Sequence, residues 1–195
     1  MKVYGLTGGI AAGKSAASHR FAELGIAVID SDRVGHQVLE PGGEAEQGVI
    51  EEFGEGILTG GHIDREKLGA IVFGDSAALK KLNQLVHPAV GRVIASRTAK
   101  FAEEGHNAII IEAALHAENG KVGDHLEGLI VVDCPRAERI RRLIADRDMT
   151  EEEAIRRIES QTPPEVKISL AKWVILNSGD IDELRNQVDQ VAAEL

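Results

Sequence analysis

The sequence predicts an α/β fold around a central parallel sheet. Five short apolar runs carry the prediction: Val3 to Leu6, Ile26 to Ile29, Ala108 to Ile111, Leu129 to Val132 and Trp173 to Leu176. None alternates with polar residues, which is how strands covered on both faces read. Helix-length segments separate the runs, as right-handed crossovers between parallel strands require.

Each element follows in order. The first run enters a glycine-rich loop and a helix-like stretch ending near Leu24. Between the second and third runs, Asp30 to Asn107 is far longer than a crossover needs. It holds turn signals at Pro41-Gly42-Gly43 and Gly60-Gly61, and helical patterns at Leu68, Ile71 and Val72 and at Leu79, Leu82 and Leu85. This predicts a helical subdomain, residues 31–107, inserted at the rim of the sheet within one domain, 1–195. A helix from Pro135 to Asp146 follows the fourth run, and Thr150 is placed to cap a helix opened by Glu151, Glu152 and Glu153. Trp173 reads as core. In the last helix Ile181, Leu184, Val188 and Val191 fall at helical spacing behind Asp180 at the N-cap.

Composition narrows the function classes. The chain has 195 residues, 43% hydrophobic and 28% charged, an ordinary globular balance. Aromatics make up 3%, too few for base-stacking platforms, and a net charge of −10 disfavours a nucleic-acid or anionic-membrane surface. The single cysteine, Cys134, allows no intrachain disulfide and reads as a small buried hydrophobe. No apolar run reaches the roughly 18 residues that span a bilayer, and glycines interrupt the place where a signal peptide's apolar region would run. A cytoplasmic protein is expected. The seven histidines lack metal-site spacing, so no transition-metal site is expected. The sequence leaves monomer and homo-oligomer undecided.

The chemistry begins at Gly8-Gly9-Ile10-Ala11-Ala12-Gly13-Lys14-Ser15, which matches G-x-x-x-x-G-K-[ST] between a strand-like run and a helix-like stretch. Glycines let the backbone curl so that N–H groups point at phosphate oxygens, and the helix adds its positive end. Lys14 is expected at the β- and γ-phosphates of a nucleotide and Ser15 at Mg²⁺, with the loop backbone from Gly8 through Ala11, Ala12 and Gly13 to Ala16 holding the nucleotide. Asp30 and Asp32 follow the second run, at the carboxyl edge where ligands bind. Asp32 reads as a base or Mg²⁺ partner for an acceptor hydroxyl. For Asp30 a helix cap weighs equally. Glu112 and Asp133 each follow a strand, and either suits an acid that orients Mg²⁺ through water. Residues 136–162 carry seven arginines: Arg136, Arg139, Arg141, Arg142, Arg147, Arg156 and Arg157. Such crowded like charge predicts a phosphate-binding lid that is mobile when empty, with Arg142 and Arg147 as catalytic candidates.

These residues together resemble the bacterial dephospho-CoA kinase family over nearly the whole chain. Gly5-Leu6-Thr7-Gly8-Gly9-Ile10 with Gly13-Lys14-Ser15 looks like its opening signature. Val28-Ile29-Asp30-Ser31-Asp32, Ile63-Asp64-Arg65, Ile71-Val72-Phe73, His87-Pro88, Glu118-Asn119, Val131-Val132-Asp133, Arg147, Gln161 and Asn177-Ser178-Gly179 follow in the family's order. The resemblance implies a P-loop NTPase three-layer fold of nucleoside-monophosphate-kinase type, with a five-stranded parallel sheet, a helical acceptor subdomain and an Arg-rich lid. It implies transfer of the γ-phosphoryl of ATP to the ribose 3′-hydroxyl of dephospho-CoA, the last step of coenzyme A synthesis. It matches Asp32 to the proposed base, Asn177 to the loop near adenine, and His87, Leu115 and Glu118 to segments near the acceptor. Ala11 stands where the family commonly has glycine and Ala16 where it has threonine, changes expected to matter little because the loop binds through its backbone. Ala114-Leu115-His116-Ala117 departs from the family's Pro-Leu-Leu-Phe/Val. That departure leaves another alcohol as an alternative acceptor. A nucleotide switch is the other alternative, although Asn177-Ser178-Gly179-Asp180 lacks the lysine of a guanine motif.

Overall fold

The structure is a computed structural model that describes residues 1–113, 122–123 and 125–195. Two compact units emerge, Met1–Ile29 with Phe101–Leu195, and Asp30–Lys100.

The first unit is the predicted sheet. Strands β1 (Lys2–Gly8), β2 (Ala27–Asp30), β5 (Ala108–Glu112), β6 (Gly128–Asp133) and β7 (Trp173–Leu176) lie in the order β2-β5-β1-β6-β7. The central strand β1 pairs in parallel with β5, Tyr4 opposite Ile110, and with β6, Tyr4 opposite Gly128. The continuous apolar runs are explained by cover on both faces. On one, Tyr4, Leu6, Ile110, Ile130 and Ile175 pack with Phe21 of α1 (Lys14–Glu23) and with Leu184, Val188 and Val191 of α9 (Ile181–Ala192). On the other, Leu129 and Val131 pack with Ile168 and Leu170, at and just past the end of α8 (Pro164–Ser169). Each such side chain contributes about 1.5–3 kcal/mol by leaving water. Asp180 caps α9 by accepting from the Glu183 N–H at 2.9 Å. Arg20 grips Asp189 through two bonds of 2.7 and 2.8 Å, clamping α1 to α9.

Strand β7 departs from the expectation of burial on both faces: Val174 is 44% and Leu176 46% exposed. It is the edge strand, and its outer side has a substitute neighbour. The Gln187 side chain of α9 accepts from the Leu176 N–H at 2.8 Å and donates to the Leu176 carbonyl at 2.9 Å. Trp173 is part of the core margin, edge-on to Tyr4 with ring centres 5.6 Å apart. Cys134 is buried, and burial pushes its thiol pKa up, as an inert small hydrophobe requires.

The second unit holds α2 (Ser31–Gln37), α3 (Glu46–Phe53), α4 (Arg65–Val72) and most of α5 (Ser76–Glu103). It is largely helical, with one addition: Gly60 and Gly61, both at positive φ, close a hairpin of β3 (Leu58–Thr59) and β4 (His62–Ile63). The pattern at Leu79, Leu82 and Leu85 belongs to one 28-residue helix that runs through Pro88.

Candidate phosphate-binding site

Strand β1 ends at Gly8 and α1 begins at Lys14, so the motif spans the turn from strand to helix. Each loop glycine meets a close neighbour. A Cβ on Gly8 would lie 2.6 Å from the Val132 carbonyl oxygen. Gly13 sits at φ +95°, and a Cβ there would lie 2.0 Å from the Asn177 amide nitrogen. Ala11 adopts φ +59°, a conformation that costs an L residue about 1–2 kcal/mol. The alanine is therefore not neutral: the loop's backbone conformation, not only its N–H groups, is at stake where glycine is common.

Helix α1 opens without a side-chain cap and with no acid in its first turn. The N–H groups of Ala11, Gly13 and Ser15 donate to no acceptor among the described residues. Bare amides at a helix N-terminus favour an anion. The Lys14 ammonium lies 3.0 Å from Glu112, with side chains 15% and 7% exposed. Strands β5 and β6 flank β1, so Glu112 and Asp133 end the two strands beside the loop. Ser15 is exposed on the first turn of α1. A hydroxyl and carboxylates are hard oxygen donors that suit Mg²⁺.

Side chains from later in the chain hold the loop's carbonyls. Asn177 is buried and donates to the Ala12 carbonyl at 2.8 Å, while its own N–H donates to the Asp133 carbonyl at 2.7 Å. Its amide nitrogen thus braces the loop. Arg142, on α6 (Arg136–Arg147), donates to the Ala11 carbonyl at 3.3 Å and to Glu138 at 3.0 Å. Arg139 donates to the Ile10 carbonyl at 2.9 Å.

The arginine segment is less crowded than its sequence suggests. Arg136 pairs with Glu159 at 2.8 Å, and Arg141 with Glu138 at 2.7 Å. The Arg141 and Arg142 guanidinium groups, Arg141 foremost, hold the Glu138 pKa down at about 2. Arg139 is 4% exposed, and burial lowers its pKa from the usual arginine value. The expectation of uncompensated charge from Arg139 to Arg147 is corrected for Arg139, Arg141 and Arg142: a carboxylate, loop carbonyls and the Gln161 amide oxygen hold them without an anion. Arg147, Arg156 and Arg157 have no ion pair within contact distance among the described residues. They line an open cavity of about 430 Å³ with Met149, Glu153 and Ser160. The second helix there, α7 (Glu151–Glu159), carries the expected cap, a reciprocal Thr150–Glu153 pair.

In the second unit, Asp30 accepts from the Arg33 N–H at 2.9 Å and so caps α2. Asp32, on the first turn of α2, does not fill that role. His87 lies on α5, beside Pro88 in a shallow cavity of about 500 Å³ shared with Leu79, Lys80 and Asn83. Leu115, Glu118 and the Ala114–Ala117 stretch lie outside the described residues. Two loop contacts were not anticipated from sequence: the Lys14–Glu112 pair, and Arg139 with Gln161 behind Ile10. The extra glycine at position 9, which the motif leaves open, is the one local signal of the latter.

A left-handed glycine loop between the central strand of a parallel sheet and a bare helix N-terminus, with a lysine on the first turn, defines a P-loop phosphotransferase. The sequence model of dephospho-CoA kinase matches residues 2–183, and the chain belongs to that family. The dephospho-CoA kinase of Carboxydothermus hydrogenoformans is 42% identical over 189 residues, covering 96% of this chain and 91% of that protein. The one from Geobacter sulfurreducens is 37% identical, covering 100% and 98%. Among solved structures, a Thermus thermophilus protein aligns with TM-score 0.83 and 30% identity over 100% of this chain and 97% of that one. Dephospho-CoA kinase from Campylobacter jejuni aligns with TM-score 0.66 and 26% identity, covering 99% and 96%. A shikimate kinase from Bacteroides thetaiotaomicron, 16% identical with TM-score 0.53 over 100% and 99%, shares the fold.

Proposed function

We propose that this chain transfers the γ-phosphoryl group of ATP to the ribose 3′-hydroxyl of dephospho-CoA, giving ADP and CoA. The observation that carries the reading is the bare N-terminus of α1 with Lys14 on its first turn, in a chain of this family. In the reaction the acceptor oxygen forms a bond to the γ-phosphorus as the bond to the bridging oxygen breaks. The protein's task is position and charge.

The loop amides of Ala11, Gly13 and Ser15 hold the β-phosphate, and Lys14 balances charge that grows on the β- and γ-oxygens. Asp32 takes or orients the proton of the acceptor hydroxyl. It is assigned that role because Asp30, not Asp32, supplies the cap of α2. Arg142, beside Ala11, and Arg147, at the end of α6, are assigned to the transferring phosphate. Asn177 keeps the loop in shape next to the nucleotide. His87, Leu115 and Glu118 are assigned to the acceptor side. Ser15 would hold Mg²⁺, with Glu112 or Asp133 reaching it through water, and the ion would supply charge neutralisation at the phosphates. The substrates and the single buried thiol suit the cytoplasm.

ADP release measured with and without dephospho-CoA tests the reading. Release that depends on dephospho-CoA supports it, and release indifferent to that acceptor refutes it. Lys14→Ala is expected to melt close to wild type and to lose nearly all turnover. Retention of most of kcat would refute the role of the loop.

A further inference from the structure

The sequence assigns Arg139 to an Arg-rich lid that is mobile when empty. The structure puts it behind the loop instead. Its guanidinium is almost wholly buried, and it donates through Nε to the Ile10 carbonyl at 2.9 Å and through Nη2 to the Gln161 Oε1 at 3.2 Å. The same Gln161 oxygen accepts the Ile10 N–H at 2.8 Å. Both polar groups of Ile10 are thereby captured in one closed ring of three hydrogen bonds.

Two further observations support a dedicated clasp. A Cβ on Gly9 would lie 2.6 Å from the Arg139 guanidinium, so glycine at this position is what lets the arginine reach Ile10. Apolar contacts run alongside: Ile10 and Ala11 pack on Leu143 of α6 and on Ala154 and Ile158 of α7, with Ile140 and Met149. A buried guanidinium held by one carbonyl and one amide oxygen resists displacement, because moving it leaves those two donors without acceptors.

We propose that Arg139 and Gln161 are positioning residues for the phosphate loop. They fix the Ile10 peptide from behind, and so set the direction of the Ala11 and Gly13 N–H groups that meet the nucleotide. They also bind the base of the α6–α7 pair to the loop, so that these helices and the loop move as one piece. Neither side chain touches substrate. The proposal rests on the phosphate-loop reading above.

The test compares Arg139→Met, Gln161→Leu, the double variant and Gln161→Glu, reading kcat and KM for ATP together with the Tm of the nucleotide-free protein. Each single substitution is expected to raise KM for ATP about 10- to 100-fold, the loss of a charge-assisted buried network, with a smaller change in kcat. The double variant is expected to be no more than about twofold worse than the poorer single one, because the bonds form a unit. Gln161→Glu keeps an oxygen acceptor for both donors and is expected to stay within about threefold of wild type. Additive losses, or an unchanged KM in Gln161→Leu, would overturn the proposal and leave Arg139 as a direct phosphate ligand. Where Arg139→Met fails to fold, Arg139→Lys decides: an ammonium lacks the planar fork that sets Nε on Ile10 and Nη2 on Gln161, and a wild-type KM there overturns the fork. Calorimetry of ATP on the wild-type protein separates the two levels. No ATP binding there overturns the loop reading itself, whereas normal binding with indifferent variants overturns only the clasp.

Discussion

Replacing Gly13 by alanine is expected to damage the loop through two separable costs. The first is conformational: φ +95° is a left-handed backbone, which costs an L residue about 1–2 kcal/mol. The second is steric, since the new Cβ would lie 2.0 Å from the Asn177 amide nitrogen. Asn177 is buried between Ala12 and Asp133 and has no room to retreat without dropping its 2.8 Å bond to the Ala12 carbonyl. Leaving that acceptor unmade costs about 1–3 kcal/mol. The sum, about 2–5 kcal/mol, corresponds to a fall in Tm of roughly 5–15 °C for a chain of this size. Asn177→Ala alone incurs only the second cost. In the double variant that cost is counted once, so its Tm is expected to match Gly13→Ala closely. Thermal melts of the four proteins, paired with KM for ATP, make the measurement. Strictly additive losses in the double variant would refute the contact reasoning, and a Gly13→Ala protein as stable as wild type would refute both costs.

Three other outcomes are expected. Asp32→Asn should lower kcat by about 10²-fold, the low end for a base in a loose phosphoryl-transfer step, with little change in KM for ATP; near wild-type kcat would return Asp32 to a structural role. Hydrogen exchange should find Arg136–Leu143 protected without nucleotide, because α6 is already fastened to the loop, while ATP adds protection near Arg147 and Arg157; equal slowing of the whole segment by ATP would restore a freely mobile lid. The Glu138 carboxylate, held at a pKa of about 2 by Arg141 and Arg142, should keep its pairs as acid is added. A depressed folded pKa gives stability that is complete above the ordinary carboxylate range and is lost as pH falls through about 2, so Glu138→Gln should flatten the acid limb of a stability profile, and an unchanged limb would count against the pairing.

The parts of the fold that rest on local pattern were legible in the sequence. The β1–loop–α1 unit follows from the glycine, lysine and serine spacing, and the buried strands from unbroken apolar runs. The caps at Thr150 and Asp180 follow from residue type at a helix start. What escaped is tertiary or too short to have a period. The β3–β4 hairpin has two residues in each strand, so only its glycines announce it. The pattern at Leu79, Leu82 and Leu85 does not tell that α5 continues through Pro88. Exposure of Val174 and Leu176 depends on where in the sheet the run ends up, and four apolar letters do not say. At the site, the arginine segment is legible in the sequence and its pairing is not: Glu138 and Glu159 neutralise part of it, and Arg139 serves a loop carbonyl more than a hundred positions earlier in the chain.

The bonds between Gln187 and Leu176 bear on what the exposed edge of the sheet offers to another strand. An edge strand with two half-bare aliphatic side chains is a template on which another chain can add a strand. The primary amide of glutamine carries the same donor and acceptor as a peptide group, in nearly the same geometry. Placed on α9, it satisfies both main-chain groups of Leu176 at once, as an adjoining strand would. A single side chain thus acts as a one-residue counterfeit strand, which closes the seam at the point where the sheet is most adhesive. It leaves solubility here dependent on the α9–β7 contact remaining shut, a reason for selection to guard a residue far from any chemistry.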